Sequence, residues 1–208
     1  MQLVTKIAQH LLYWLAYIPI RFILRIKTDQ SFTASDLRHQ SYILVANHVS
    51  RLDTLFLLAL PWELYKKLTP IYFLTDQKEF NKPWLAPFLH LLGAYPLPHN
   101  KWTLEQYFAQ TIQKVTNGNN VMIFPEGEVQ AKLDPLEVSP GLGYLISRTT
   151  APVIPVRIRI TSFGYKSFFT KKNNVQLTLK KPLSLNVDNT ENGLDIYREI
   201  SRDVFSKV

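Results

Sequence analysis

Short apolar runs recur along this chain at the spacing of buried strands, and longer amphipathic runs fall between them. Tyr42–Ala46, Ile71–Thr75, Val121–Phe124 and Val153–Ile160 read as buried strands, and Val175–Leu179 alternates like a strand with one wet face. Leu52–Leu60 is apolar and poor in β-branched residues, so a helix is expected there. Trp84–Leu92 predicts a short helix ending at Gly93, and Gly141–Thr149 and Leu194–Val208 predict two more. The clearest helix is Thr103–Asn117. Thr103 and Gln106 have capping-box spacing, Trp102 and Tyr107 can form a hydrophobic staple, and Gly118 follows the end. Strands alternating with helices predict an α/β fold, a single domain with a mixed, largely parallel central sheet flanked by helices.

The N-terminal segment has a different pattern. Ile7–Ile26 is rich in Leu, Ile, Tyr, Trp and Phe, and Leu11–Ile20 carries no charge. Ten helical residues reach about 15 Å, half of a hydrocarbon core of about 30 Å. The run is too short to span a membrane, and Pro19 is expected to bend it. No small-residue cleavage site follows, so a signal peptide is not expected. On a helix, Gln9, Tyr13, Tyr17, Arg21 and Arg25 form one row, with Leu11, Trp14, Leu15, Ile18 and Phe22 mostly away from it. The expectation is an amphipathic helix over residues 1–28 lying in a membrane interface, its basic and aromatic row at headgroup level, followed by the main domain over 29–208.

Composition and charge narrow the partners. The chain of 208 residues is 46% hydrophobic and 19% charged, enough apolar content to fill a core. It has no cysteine, which excludes disulfides, thiolate nucleophiles and Cys-based zinc sites and is compatible with a reducing compartment. The net charge of +8 is uneven. From Val138 to Val187 there is no acidic residue, while Arg148, Arg157, Arg159, Lys166, Lys171, Lys172, Lys180 and Lys181 are all basic. Phe163, Tyr165, Phe168 and Phe169 interleave with them. Bases with aromatics suit nucleic acid, a membrane interface or a phosphorylated ligand. Beside an interfacial helix the membrane is the expected partner and nucleic acid is not.

Two polar segments interrupt the apolar pattern where chemistry is expected. Asn47-His48 directly follows the run 42–46, which places His48 at the carboxyl end of a strand, where α/β sheets hold their sites. Asp53 is five residues on, about 500° around a regular helix and off any shared face. The two meet only across a turn, and Ser50 supplies one: Ser50 and Asp53 have capping spacing for a helix starting at Arg51. A carboxylate on one ring nitrogen of His48 fixes the tautomer and leaves the other nitrogen as a proton acceptor. Phe124-Pro125-Glu126-Gly127 is a second strand exit and presents Glu126 to bind an acceptor hydroxyl or hold a cation. His10, His39, His90 and His99 lack such a setting and are expected to be structural or surface residues. No His-x-x-x-His or comparable ligand pair exists, so no metal is expected. There is no glycine-rich phosphate loop.

Together these segments resemble the lysophospholipid acyltransferase family, which includes glycerol-3-phosphate and 1-acylglycerol-3-phosphate acyltransferases. Asn47-His48-Val49-Ser50-Arg51-Leu52-Asp53 matches its Asn-His-x4-Asp block and Phe124-Pro125-Glu126-Gly127 the core of a later block. Gly93–Leu97 and Val153–Val156 fall where two weaker blocks belong. Within the family the chain is similar to the acyltransferase part of bacterial enzymes that reacylate lysophosphatidylethanolamine. The resemblance implies an O-acyltransferase that moves a fatty acyl group from acyl-CoA or acyl carrier protein, as co-substrate, to a lysophospholipid hydroxyl, with no cofactor. It implies His48 as base and Asp53 as its orienting partner. Asn47, Ser50, Arg51, Phe124, Pro125, Glu126 and Gly127 would line the substrate site, with backbone N–H groups at the helix start facing the oxyanion. Many members have Thr-Arg after Phe-Pro-Glu-Gly, and here Glu128 and Val129 stand there. Either Lys101, Arg148 or Arg157 binds the acceptor phosphate instead, or the acceptor is not a simple phosphomonoester. The expected place is the cytoplasmic face of an inner or plasma membrane, as a monotopic protein. The competing readings are a non-catalytic membrane lipid-binding protein of the same fold, or an acyltransferase for a non-phospholipid hydroxyl or amine.

Overall fold

The computed structural model describes residues 2–97, 103–129, 137–162, 174–185 and 193–208. Its strands are β1 Ile26–Gln30, β2 Ile43–Ala46, β3 Ile71–Thr75, β4 Ala94–Pro96, β5 Asn120–Ile123, β6 Val153–Ser162 and β7 Asn174–Leu179. They form one sheet in the order β1-β7-β6-β2-β5-β3-β4. Strands β2 to β6 are parallel to one another, β7 is antiparallel to β6, and β1 is parallel to β7. The sheet is thus mixed and mostly parallel, in an α/β domain. Its central strands β2 and β5 are buried at every position, because both faces are covered, so their sequences show no alternation.

The helices are α1 Gln2–Leu24, α2 Trp62–Leu68, α3 Gln77–Phe80, α4 Ala86–Leu91, α5 Leu104–Thr116, α6 Gly141–Arg148 and α7 Leu194–Ser206. Side chains alternate across the strands, so two cores form. Leu44, Ala46, Met122, Ile154 and Val156 pack with Tyr13 of α1 and with Phe56, Leu57, Leu64 and Leu68 on one face. Ile43, Val45, Val121, Ile123 and Val153 pack with Phe108 of α5, Leu142 and Leu145 of α6, and Val204 and Phe205 of α7 on the other. A buried Leu or Ile of this kind contributes roughly 1.5–3 kcal/mol. The chain leaves β2 toward the first face and leaves β5 toward the second. A crevice therefore opens between the carboxyl ends of two adjacent strands, the usual place for a site in an α/β sheet.

The segment expected as a helix over Leu52–Leu60 is a 3-10 helix at Asp53–Ala59. Leu55 N–H bonds to Leu52 carbonyl at 2.9 Å and Leu60 N–H to Leu57 carbonyl at 3.1 Å, the tighter i to i+3 pattern of a short run stopping before Pro61. The capping box at Thr103 and Gln106 is present. Its companion staple residue Trp102 lies outside the described residues, as do Lys101 and the stretch 163–173.

α1 departs from expectation in its orientation. The polar row faces the protein: Thr5, Gln9 and Tyr13 are buried. The Gln9 amide donates to the carbonyls of Ile71 (2.6 Å) and Leu92 (2.8 Å) and accepts from Ile71 N–H (3.0 Å). Tyr13 hydroxyl donates to Leu60 carbonyl at 2.9 Å. Gln9 thus ties the starts of β3 and β4 together. Gly93 (φ 94) is required there, because a Cβ would lie 2.6 Å from Ile71 carbonyl and 3.0 Å from the Gln9 amide. The outward face carries Leu3, Ile7, Leu11, Trp14, Leu15 and Ile18, each at least half exposed. Beside α1, α4 exposes Phe88 and Leu91, and Trp84 just before it is also exposed. Among the described residues no helix is long and apolar enough to cross a membrane. Only Arg25 separates α1 from β1, so the division expected at residue 28 falls inside a strand of the sheet.

Candidate active site

His48 and Asp53 are brought together by a tight turn. His48 Nδ1 is 2.8 Å from Asp53 Oδ2. The same oxygen accepts from Val49 N–H (2.8 Å) and Ser50 N–H (3.0 Å), and Oδ1 accepts from Ser50 hydroxyl (2.7 Å). Asp53 is 1% exposed, so these donors replace the water it has lost. With an ionised carboxylate at Nδ1, the proton sits on Nδ1 and Nε2 is left as the acceptor. The His48 side chain is 21% exposed, so the ring is held but still reachable from solution.

The ring plane is set by Phe124, which stacks on it with centroids 4.4 Å apart and an interplanar angle of 25°. Glu126, from the exit of β5, accepts from His48 backbone N–H at 2.5 Å and so ties that exit to the exit of β2. Partial burial pushes the Glu126 carboxyl up from its ordinary range, with the Asp53 charge adding to the rise and the His48 N–H and ring opposing it. Phe124 carbonyl accepts from Gly127 N–H (3.0 Å), closing a turn in which Gly127 takes φ 74, a value that favours glycine. Pro125 carbonyl accepts from Ser139 N–H at 2.9 Å, which fixes the chain just ahead of α6.

The residues expected to line the substrate site divide into two groups. Asn47 is buried, and its amide donates to Ile158 carbonyl (2.8 Å) and accepts from Ile158 N–H (2.7 Å), extending the β2–β6 pairing by one step. Ser50 is engaged with Asp53 and with Leu52 N–H, Phe124 with the His48 ring, and Pro125 with Ser139. These four shape the site from inside. Arg51 and Gly127 are exposed at its edge, and Glu126 is half-buried there with one carboxyl oxygen on the His48 N–H. Ser50 does cap a turn, but the helical segment begins at Asp53 rather than Arg51. The N–H groups of Val49, Ser50 and Leu52 are already bonded to Asp53 and Ser50, so these three do not face an oxyanion as expected.

The two described candidates for binding the acceptor phosphate, Arg148 and Arg157, separate. Arg148 ends α6, which runs back down the sheet from β5 to β6, and its guanidinium lies over the Tyr144 ring, 5.3 Å from the centroid. That is the opposite edge of the sheet from His48, so the expectation of Arg148 in the site is corrected by the direction of α6. Arg157 lies near the carboxyl end of the β2–β6 pairing, the same edge as His48. Lys101 lies outside the described residues.

The other described histidines meet no carboxylate. His10 Nε2 is 2.6 Å from Thr69 hydroxyl and its ring is edge-on to Trp62; burial, with Lys6 and Lys66 adding to it, holds it below its usual range. His90 packs against Phe80 and His39 against Tyr42. Among the described residues no group of three His, Cys, Asp or Glu is arranged to hold a metal ion. Sequence reasoning missed Val49, whose contribution is a backbone N–H that any residue provides. It also missed the inward role of Gln9, for which the signal was an amide at a spacing shared with Thr5 and Tyr13.

The fold is similar to that of the crystal structure of the 1-acyl-sn-glycerophosphate (LPA) acyltransferase PlsC from Thermotoga maritima. The TM-score is 0.52 at 18% identity, covering 98% of this chain and 76% of that one. A family model described as acyltransferase matches residues 27–159, well over half of the chain and the span holding both strand exits. The chain belongs to the acyltransferase family.

Proposed function

We propose that this protein transfers a fatty acyl group from a thioester, acyl-CoA or acyl carrier protein, to the hydroxyl of a lysophospholipid at a membrane surface. The observation that carries the reading is His48, with Nδ1 on a buried carboxylate and its other nitrogen uncommitted among the described residues. An alkyl hydroxyl is a weak nucleophile near neutral pH and needs a positioned base at the moment of attack. His48 Nε2 takes the hydroxyl proton as the oxygen bonds to the thioester carbonyl carbon. The tetrahedral intermediate collapses, the C–S bond breaks, and the thiolate leaves with the proton returned by His48. Asp53 keeps the ring oriented and stabilises its imidazolium form in between. Glu126 and Gly127 border the acceptor. Transfer is direct, from donor to acceptor, without an acyl-enzyme.

The membrane part of the reading rests on α1. Its polar row is used for internal hydrogen bonds, and its free face is apolar over Leu3, Ile7, Leu11, Trp14, Leu15 and Ile18. An apolar face of this extent, on a helix that is not both long and apolar enough to cross the bilayer, fits one lying in the headgroup boundary.

The test uses the purified full chain with vesicles holding lysophosphatidate, lysophosphatidylethanolamine or monoacylglycerol, and long-chain acyl-CoA or acyl carrier protein as donor. New ester in a phospholipid product is expected. Tight vesicle binding with no ester from any pair would overturn transfer in favour of a lipid-binding protein.

A further inference from the structure

β6 reaches the site through Asn47. Val156 pairs with Ala46, so Arg157 is level with Asn47, one strand spacing of about 4.8 Å away. His48 is the next residue along. The two bonds from Asn47 to Ile158 fix the backbone on the carboxyl side of Arg157. Ile154, Val156 and Ile158 point into the core beneath α1, so by alternation Arg157 lies on the opposite face, which α6 helps to cover.

Arg157 is half-buried, and its buried Nε has no hydrogen-bond partner among the described residues. The two carboxylates of the site are already engaged, Asp53 with His48, Val49 and Ser50, and Glu126 with the His48 N–H; Asp29, level with Arg157 across Thr178 of β7, is exposed. Arg159, two residues on and on the same face, adds a second positive charge that raises the cost of keeping Arg157 ionised. Burying the Nε–H of an arginine without an acceptor is costly, and a site that retains such a group is balanced when an anion occupies it. A planar fork of N–H donors matches the oxygens of a phosphate better than a point charge does.

We infer that Arg157 is a substrate-positioning residue that binds the phosphate of the lysophospholipid acceptor and so brings the free hydroxyl to His48. This rests on the proposed function and deepens it, since it selects Arg157 over Arg148 as the residue that recognises the phosphate. The phosphates of the donor's pantetheine arm are the other source of the same chemistry, and kinetics separate the two.

The experiment measures KM and kcat for acceptor and donor in turn, for the wild-type chain, Arg157→Gln and Arg157→Lys. Loss of one or two charge-assisted bonds predicts a rise in acceptor KM of about 10- to 100-fold in Arg157→Gln. The expected kcat stays within about threefold and donor KM is unchanged, as for lost ground-state binding. Arg157→Lys falls between, keeping the charge and losing the fork. Inorganic phosphate competes with the acceptor in the wild type and no longer does so in Arg157→Gln. A rise in donor KM alone, a fall in kcat with acceptor KM unmoved, or no change overturns the inference. If Arg157→Gln does not fold, Arg157→Lys decides: acceptor KM and phosphate inhibition equal to wild type overturn it. A wild-type chain that acylates no phospholipid removes the proposed function and this inference together. A wild-type chain that turns over while both variants match it removes the inference alone.

Discussion

The two ends of β2 carry the same ingredients and use them differently. Before the strand, Thr33-Ala34-Ser35-Asp36 closes a 3-10 turn and His39 follows. After it, His48 is followed by Ser50-Arg51-Leu52-Asp53, the same spacing of hydroxyl and carboxylate. Asp36 is exposed, and its carboxylate accepts from Thr33 N–H (2.7 Å) and Thr33 hydroxyl (3.0 Å), capping its own turn. These donors, the backbone N–H first, hold it below the ordinary carboxylate range. Asp53 also accepts from its own turn, but it is buried and one oxygen faces the ring of His48. A cavity of about 250 Å³ lies at the His39 end, lined by Arg38, His39, Tyr42 and Lys181 among others. The chemistry nonetheless reads better at the other end. What separates the two is burial of the carboxylate, the order of His before the turn, and the crevice at the strands' carboxyl ends. Capping spacing alone does not make a site.

Variants at matched positions test this contrast. His48→Ala should lower transfer by about 10⁴-fold with the fold intact, since it removes the base. His39→Ala should leave turnover within about twofold of wild type, and steady-state assay of the pair decides between the two ends. Asp53→Asn should cost about 10²- to 10³-fold, less than loss of the base. Its amide oxygen can still accept from Val49 and Ser50, so circular dichroism should stay close to wild type while transfer falls. A turnover equal to wild type would mean the carboxylate only closes the turn.

Glu126→Gln has a smaller effect, read in stability. A carboxyl raised by burial favours its neutral form in the folded chain. Its contribution is therefore full below the ordinary Glu range and is lost as pH rises through the raised value. Thermal melts should show the variant gaining on wild type as pH rises toward neutral and matching it in acid. A gap that stays constant with pH would contradict this. Asp36→Asn should change least. Asp36 is depressed, so its contribution is present above the ordinary Asp range and is lost as pH falls through the lowered value. A slight drop in melting temperature at neutral pH, absent in strong acid and with transfer unchanged, is expected.

Much of this was legible in the residues, and the limits have physical causes. Ile43–Ala46, Ile71–Thr75 and the capping box at Thr103 stood out because burial and local hydrogen bonding leave strong patterns. β1 was hidden because Ile26–Gln30 pairs at the sheet edge, where polar Lys27, Thr28, Asp29 and Gln30 are tolerated. β4 spans only Ala94–Pro96, too short for a period. The polar row of α1 was visible but its direction was not. A row of amide and hydroxyl groups satisfies buried backbone as well as it faces headgroups, and only the open carbonyls of Ile71, Leu92 and Leu60 decide. His48 and Asp53 could be paired from spacing and a turn signal, whereas Arg148 and Arg157 could not be told apart. Which edge of the sheet each reaches depends on α6 reversing the chain between β5 and β6.

The most direct measurement mixes the full chain in vesicles with an acyl thioester, with and without lysophospholipid, and follows free thiol and protein mass together. Thiol release is expected only when acceptor is present, with one thiol per ester formed, no acylated protein, and no release by His48→Ala. Thiol released in a burst with stoichiometric acyl-protein before acceptor is added, or release undiminished in His48→Ala, would contradict it.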